Sequence, residues 1–143
     1  MIKVKYSFLE NITFGTLLFF LFITPSFGDF KMNCEKLIQT ALDHKELASY
    51  YHTTKHPERI PLKILCLNTD CRSFKLSKFN KPVEILDSLP HDENVITISS
   101  FSYKENFASF ILTYPIEGIR AKFSFEINDD KSIKKTSVSL FEE

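Results

Sequence analysis

The 143-residue chain has no tryptophan, two methionines, three glycines and one glutamine, Gln39. The glycines, Gly15, Gly28 and Gly118, lie far apart. They supply neither a phosphate-binding loop nor a dinucleotide fingerprint, which need clustered glycines so that backbone can approach phosphate. There is no Gly-x-Ser-x-Gly stretch, and so no nucleophile elbow of that type. Eighteen basic residues balance eighteen acidic ones, without the basic excess that marks most nucleic-acid binders. No block of like charge reaches five residues, so no charged interaction tail is evident. No apolar run has the roughly 20 residues of a membrane-spanning helix. No internal repeat or low-complexity segment is visible.

What the chain does have begins at its N-terminus. Lys3 and Lys5 form a positive start, and Phe14 to Ile23 is apolar apart from Gly15 and Thr16. Thr24-Pro25 then breaks any helix, and small residues stand at Ser26 and Gly28. This is the three-part pattern of a secretory signal, cleaved where only small side chains fit. The expectation is a signal peptide over residues 1–28 and one exported domain over 29–143, either periplasmic or secreted. Cys34 follows Lys31-Met32-Asn33, which is not the small-residue box of a lipoprotein. The sequon Asn11-Ile12-Thr13 falls inside the signal. Lys3, Lys5 and Glu10 leave with it, so 16 basic and 17 acidic residues remain and the net charge is about −1. A chain of about 115 residues forms one domain with a modest core.

Export places Cys34, Cys66 and Cys71 where disulfides persist. Cys66 and Cys71 flank Leu67-Asn68-Thr69-Asp70, and a bridge across that loop is the favoured reading. Cys34 is then left over, buried or able to pair between chains. A zinc site of mixed ligands is the alternative, because His52 and His56 are spaced H-x3-H ahead of the two cysteines. Pro57 after His56 argues against a helix that presents both imidazoles on one face. The expectation is no metal and no cofactor.

Residues 31–51 read as helix, with Cys34, Leu37, Ile38, Ala41 and Leu42 on one apolar stripe. Asp43-His44-Lys45-Glu46 has the form of an N-cap followed by an acid. It predicts a kink or a second helix over 44–51, with Leu47, Ala48 and Tyr51 inward. Residues 52–61 form a loop broken by two prolines. Leu62–Asn68 and Val83–Asp87 are short apolar strands, separated by the irregular, lysine-rich stretch Thr69–Pro82. Val95–Tyr103, Phe107–Tyr114, Ile119–Ile127 and Ile133–Phe141 follow as strands. The third alternates Ile119, Ala121, Phe123, Phe125 and Ile127 with polar residues, the mark of a sheet with one wet face. Short connections between them imply an antiparallel meander. With one glycine left after residue 28, loops at positive φ should be scarce, and Gly118 should serve the turn after Pro115. The fold class is α+β, with an N-terminal helix or helix pair covering the apolar face of a curved antiparallel sheet.

This order, with the segments LASYYH and YPIEG, resembles the NTF2-like and cystatin-like group, whose helix sits in the concave face of a bent sheet. KFNKPVEIL together with YPIEG also resembles small exported bacterial proteins that carry no assigned activity. Cystatins block cysteine proteases with a glutamine–valine–glycine hairpin. Gln39 lies in the helix, so that activity does not transfer. NTF2-like enzymes place acids, histidines or tyrosines in the cone, and no such set maps onto this chain.

Tyr51, His52, His56 and Arg59 form, with Tyr50, the densest polar-aromatic cluster and the candidate ligand-binding site. A histidine there could act as a general base. His44 lies in the proposed cap and His91 in a polar segment. The paired carboxylates Asp92-Glu93, Asp129-Asp130 and Glu142-Glu143 are adjacent in turns or at the terminus and read as solubility charges. Phe101, Phe107, Phe110, Phe123, Phe125 and Phe141 make the sheet aromatic-rich, as core or as the lining of an apolar pocket. The expected function is a non-enzymatic exported binding module for a small apolar ligand or a protein partner. It should take no nucleic acid and should not insert stably in membrane. The alternatives are a cone-type enzyme using His52, His56 or Tyr51, and an inhibitor or immunity-type protein with a protruding loop near 69–82.

Overall fold

The computed structural model describes residues 27–91 and 94–142. The expected signal segment lies almost wholly outside the described residues, as do Asp92, Glu93 and Glu143. The fold is α+β. Helix α1, Phe27–Leu42, and the one-turn helix α2, Lys45–Ala48, precede eight strands. These are β1 Lys63–Cys66, β2 Ser77–Lys78, β3 Lys81–Pro82, β4 Glu84–Leu86, β5 Ile96–Lys104, β6 Phe107–Tyr114, β7 Ile119–Ile127 and β8 Ile133–Glu142. Six of them form one open sheet in the order β4-β1-β5-β6-β7-β8, and β2 pairs with β3 in a separate hairpin.

From β5 onward the sheet is the expected antiparallel meander. The first part differs, because β1 lies between β4 and β5 and runs parallel to both. A strand inside a sheet and covered on its faces must be apolar throughout. Ile64 and Leu65 are accordingly both buried.

The core forms where the α1 stripe meets the sheet. Cys34, Leu37, Ile38, Ala41 and Leu42 join Ile96, Ile98, Phe110, Leu112, Ala121, Phe123 and Phe125 in one cluster. The pairing Ser99↔Ile111 gives way to Ser102↔Ser109, so one extra residue enters β5 there. This bulge, with Ser100 at φ 54, changes which residues of β5 face inward. Ile96 and Ile98 point in before it and Phe101 packs in after it, stacked on Phe110 at 5.4 Å. A second irregularity falls between Glu126 and Ile127. Irregularities of this kind bend the strand that carries them and increase its twist.

Several local expectations are corrected. Helix α1 is already formed at Phe27, ahead of residue 31, and α2 ends at Ala48, not residue 51. The N-cap of α2 is His44, whose Nδ1 accepts from the Glu46 N–H at 3.4 Å. Asp43 turns away to Lys78, at 2.8 Å, and to Gln39. Ala48 is exposed because so short a helix buries one position, Leu47. Positive φ is not scarce. His52, Phe79, Asn80, Ser100, Glu105 and Lys131 all adopt it without being glycine, each at a steric cost of about 1–2 kcal/mol. Phe79 and Asn80 form the tight β2–β3 turn, where paired positive φ matches the strand twist. Gly118, at φ 60, caps the 3₁₀ turn Pro115–Glu117 as expected.

The stretch 69–82 is not a protruding loop. Phe74 and Leu76 are buried, and the Gln39 side chain grips Ser77 through both its N–H and its carbonyl, at 3.0 and 2.9 Å. The Cys66–Cys71 disulfide closes the start of this stretch, and Cys34 is a buried free thiol.

Candidate functional site

Two segments far apart in sequence meet at one corner of the sheet. The first is the chain leaving α2, from Tyr50 to the 3₁₀ turn Pro57–Arg59. The second is the β6–β7 connection, Pro115–Glu117. His52, at φ 47, reverses the chain, and its carbonyl accepts from the N–H groups of Lys55 and His56, both at 2.9 Å. The His56 carbonyl accepts from the Arg59 N–H at 3.1 Å. These bonds turn Arg59 inward.

Arg59 is only 6% exposed. A buried guanidinium needs an opposing charge, and Glu117 supplies it. Nη1 donates to Glu117 Oε1 and to the Tyr51 carbonyl. The other oxygen of Glu117 meets His52 Nε2 at 3.1 Å. One carboxylate therefore holds a buried arginine on one side and a half-exposed imidazole on the other. Arg59 Nε is buried without a hydrogen-bond partner, which carries a desolvation cost of about 1–3 kcal/mol.

Of the four candidate residues, Tyr51, His52 and Arg59 come together at this corner. His56 points outward and pairs with Glu58 at 3.0 Å, both side chains exposed. Tyr51 is 2% exposed and its hydroxyl donates to the Leu42 carbonyl at 2.7 Å, satisfying an end group of α1. Burial pushes its phenol far above the ordinary range. Its ring meets Phe79 edge-on at 5.4 Å, and Lys78 Nζ lies over it at 5.4 Å. Tyr51 thus ties α1, the loop and the β2–β3 hairpin together. Tyr50 reaches the far edge of the sheet, donating to Glu142 at 2.9 Å.

Glu117 is the residue that sequence reasoning missed. It stands inside YPIEG, which the sequence marks only as a turn and as part of the resemblance. The available signal was Arg59, a basic residue in the loop that follows Tyr51, with no acid beside it able to serve as a buried counter-ion. Glu58 is next to it in sequence but faces solvent.

Chemically, the Glu117–His52 contact fixes an imidazole. The carboxylate is already shared with Arg59, and among the described residues no hydroxyl or thiol is bonded to the His52 ring. Cys66 and Cys71 are joined, so neither is a thiolate ligand beside the histidines. Among the described residues no three His, Cys, Asp or Glu side chains gather as a metal site.

Side chains fill the space under α1. Phe110 stacks on Phe123 and Phe125, both at 5.6 Å, and these three rings are at most 1% exposed. The His44 ring closes over Phe123 edge-on at 5.6 Å. A depression of about 690 Å³ lies outside α1, among Glu35, Lys36, Gln39, Asp43, His44 and Lys75. It is open to solvent and walled by the stems of charged and polar residues, unlike the enclosed pockets that hold small ligands. Comparison of the chain with protein-family models, curated proteins and solved structures finds no match. No helix among the described residues is long and apolar enough to cross a membrane.

Proposed function

We propose that the chain is an exported, non-enzymatic binding module that acts through its surface on a protein partner. The observation that carries this reading is the filled interior. Phe101, Phe110, Phe123 and Phe125 stack beneath α1, where a ligand-binding cone would be hollow. That argues against a small apolar ligand. The Glu117 carboxylate, held by Arg59 and His52 together, argues for a braced corner and against a general acid–base pair. Such bracing pre-organises the His52 loop and the neighbouring, partly exposed Ile116 for contact, and rigid surfaces lose less entropy on docking.

The export assignment rests on residues 1–28, and removal of that segment leaves α1 beginning at Asp29. Kinship with the NTF2-like and cystatin-like group is part of the same proposal. It is supported by an N-terminal helix laid across a bulged, meandering sheet.

Native mass spectrometry of the protein gently purified from the exported fraction tests the reading. The expected result is a chain free of small molecules that associates with a second protein, and whose complex weakens when His52 and Ile116 are replaced by alanine. A stoichiometric lipid or other small apolar molecule would overturn it. So would a hydrolytic or isomerase activity abolished by His52→Ala.

A further inference from the structure

The face of the meander turned away from α1 carries a separate pattern. Its register places Ser102, Ser109, Ser124 and Ser137 side by side across four strands. At a strand spacing near 4.8 Å this row is roughly 14 Å long. On one side runs the row Lys104, Phe107, Glu126, Lys135, and on the other Ser99, Ile111, Lys122, Ser139. The short serines leave a trough of about 360 Å³ between longer side chains, with Lys104, Lys122, Lys135 and Phe107 among its walls. Lys122 also borders a second depression of about 340 Å³, shared with Ile111, Arg120 and Phe141.

Charge on this face is one-sided. Among the described residues of these strands, Arg120, Lys104, Lys122, Lys134 and Lys135 stand against one carboxylate on this face, Glu126, which Lys134 already holds at 2.5 Å. The chain as a whole is balanced at eighteen against eighteen, so the excess is local. Phe107 and Phe141 are 61% and 54% exposed on it.

We propose that this face binds an acidic polysaccharide, one that carries carboxylate or sulfate groups along a hydroxyl-rich chain. A serine hydroxyl both donates and accepts, as sugar hydroxyls do, so the floor suits a saccharide. The lysines on both walls and Arg120 face its acidic groups, and Phe107 offers an apolar ring at the edge. A protein partner would prefer an apolar, aromatic interface centre, which a serine floor lacks. Single-stranded nucleic acid needs aromatic platforms for successive bases, and the two exposed rings here stand at opposite ends of the face, two strands apart. This inference is independent of the His52–Glu117 corner and of the protein partner proposed for it.

The test uses the folded protein from the exported fraction with polygalacturonate, heparin, neutral dextran, poly-glutamate, single-stranded DNA and anionic phospholipid vesicles as probes. Binding to polygalacturonate or heparin, weakened by salt and absent for dextran, is the expected result. Lys122→Glu, exposed and so neutral for folding, should weaken it about five- to tenfold. Ser109→Val with Ser124→Val should weaken polygalacturonate binding while leaving the weaker attraction to poly-glutamate unchanged. No binding to either acidic polysaccharide at low salt overturns the proposal. So does equal or tighter binding to poly-glutamate, DNA or vesicles, or an undiminished affinity in Lys122→Glu.

Discussion

Arg59 and Glu117 are 58 residues apart in sequence and share one buried ion pair. The guanidinium and the carboxylate are 7% and 12% exposed. Leaving one of two buried charges without its partner costs about 3–5 kcal/mol. Glu117→Ala should therefore destabilise the protein by that amount in urea unfolding, and Glu117→Gln by less, since the amide still accepts from Nη1. His52→Ala should cost under about 1 kcal/mol, because its ring is half exposed and its contact screened.

The stacked rings set the second prediction. Phe110 touches Phe101, Phe123 and Phe125 as a ring neighbour. Phe110→Ala should cost about 3–5 kcal/mol, measured by the same unfolding curves. Phe107→Ala, three residues earlier on the exposed face of β6, should change stability by less than about 0.5 kcal/mol. A reversed ranking would place the core on the wrong side of the sheet.

The cysteines behave as two separate chemistries. The Cys66–Cys71 loop is short, so reducing the bond should cost about 2 kcal/mol or less and leave the domain folded. Burial pushes the Cys34 thiol from 9.0 up to about 11. In native protein near pH 8 it should resist alkylation, and it should react promptly once the chain is unfolded.

Acid should loosen the β2–β3 hairpin first. Partial burial pushes the Asp43 carboxyl upward, but bonds from Lys78 and Gln39 outweigh that and hold it below its ordinary 3.8. A depressed acid stabilises the fold above its unfolded pKa and loses that contribution as pH falls through the folded one. Amide exchange at Ser77 should therefore rise below about pH 4, ahead of exchange in β6 and β7. Asp43→Asn should abolish this acid-dependent step.

The sheet was legible because its period is local. Ile119 to Ile127 alternates at every position, and Lys104–Asn106 and Asn128–Lys131 announce their turns, so strand ends are read to within a residue or two. The parallel seat of β1 was not legible. Ile64 and Leu65 show only that the strand is covered, not which strands cover it. Positive φ at Ser100 or Glu105 is imposed by register and hairpin closure, which no single residue type reports. At the corner, Tyr51, His52 and Arg59 were visible as a dense polar cluster. Glu117 was not, since only the closing of β6 onto β7 brings it across.

Compartment decides both whether the Cys66–Cys71 disulfide persists and which partners the chain meets. N-terminal sequencing of the chain recovered from the exported fraction is the most direct measurement. The predicted result is a mature chain beginning at Asp29. A chain that begins at Met1 and stays in the cytosol or the membrane would contradict it.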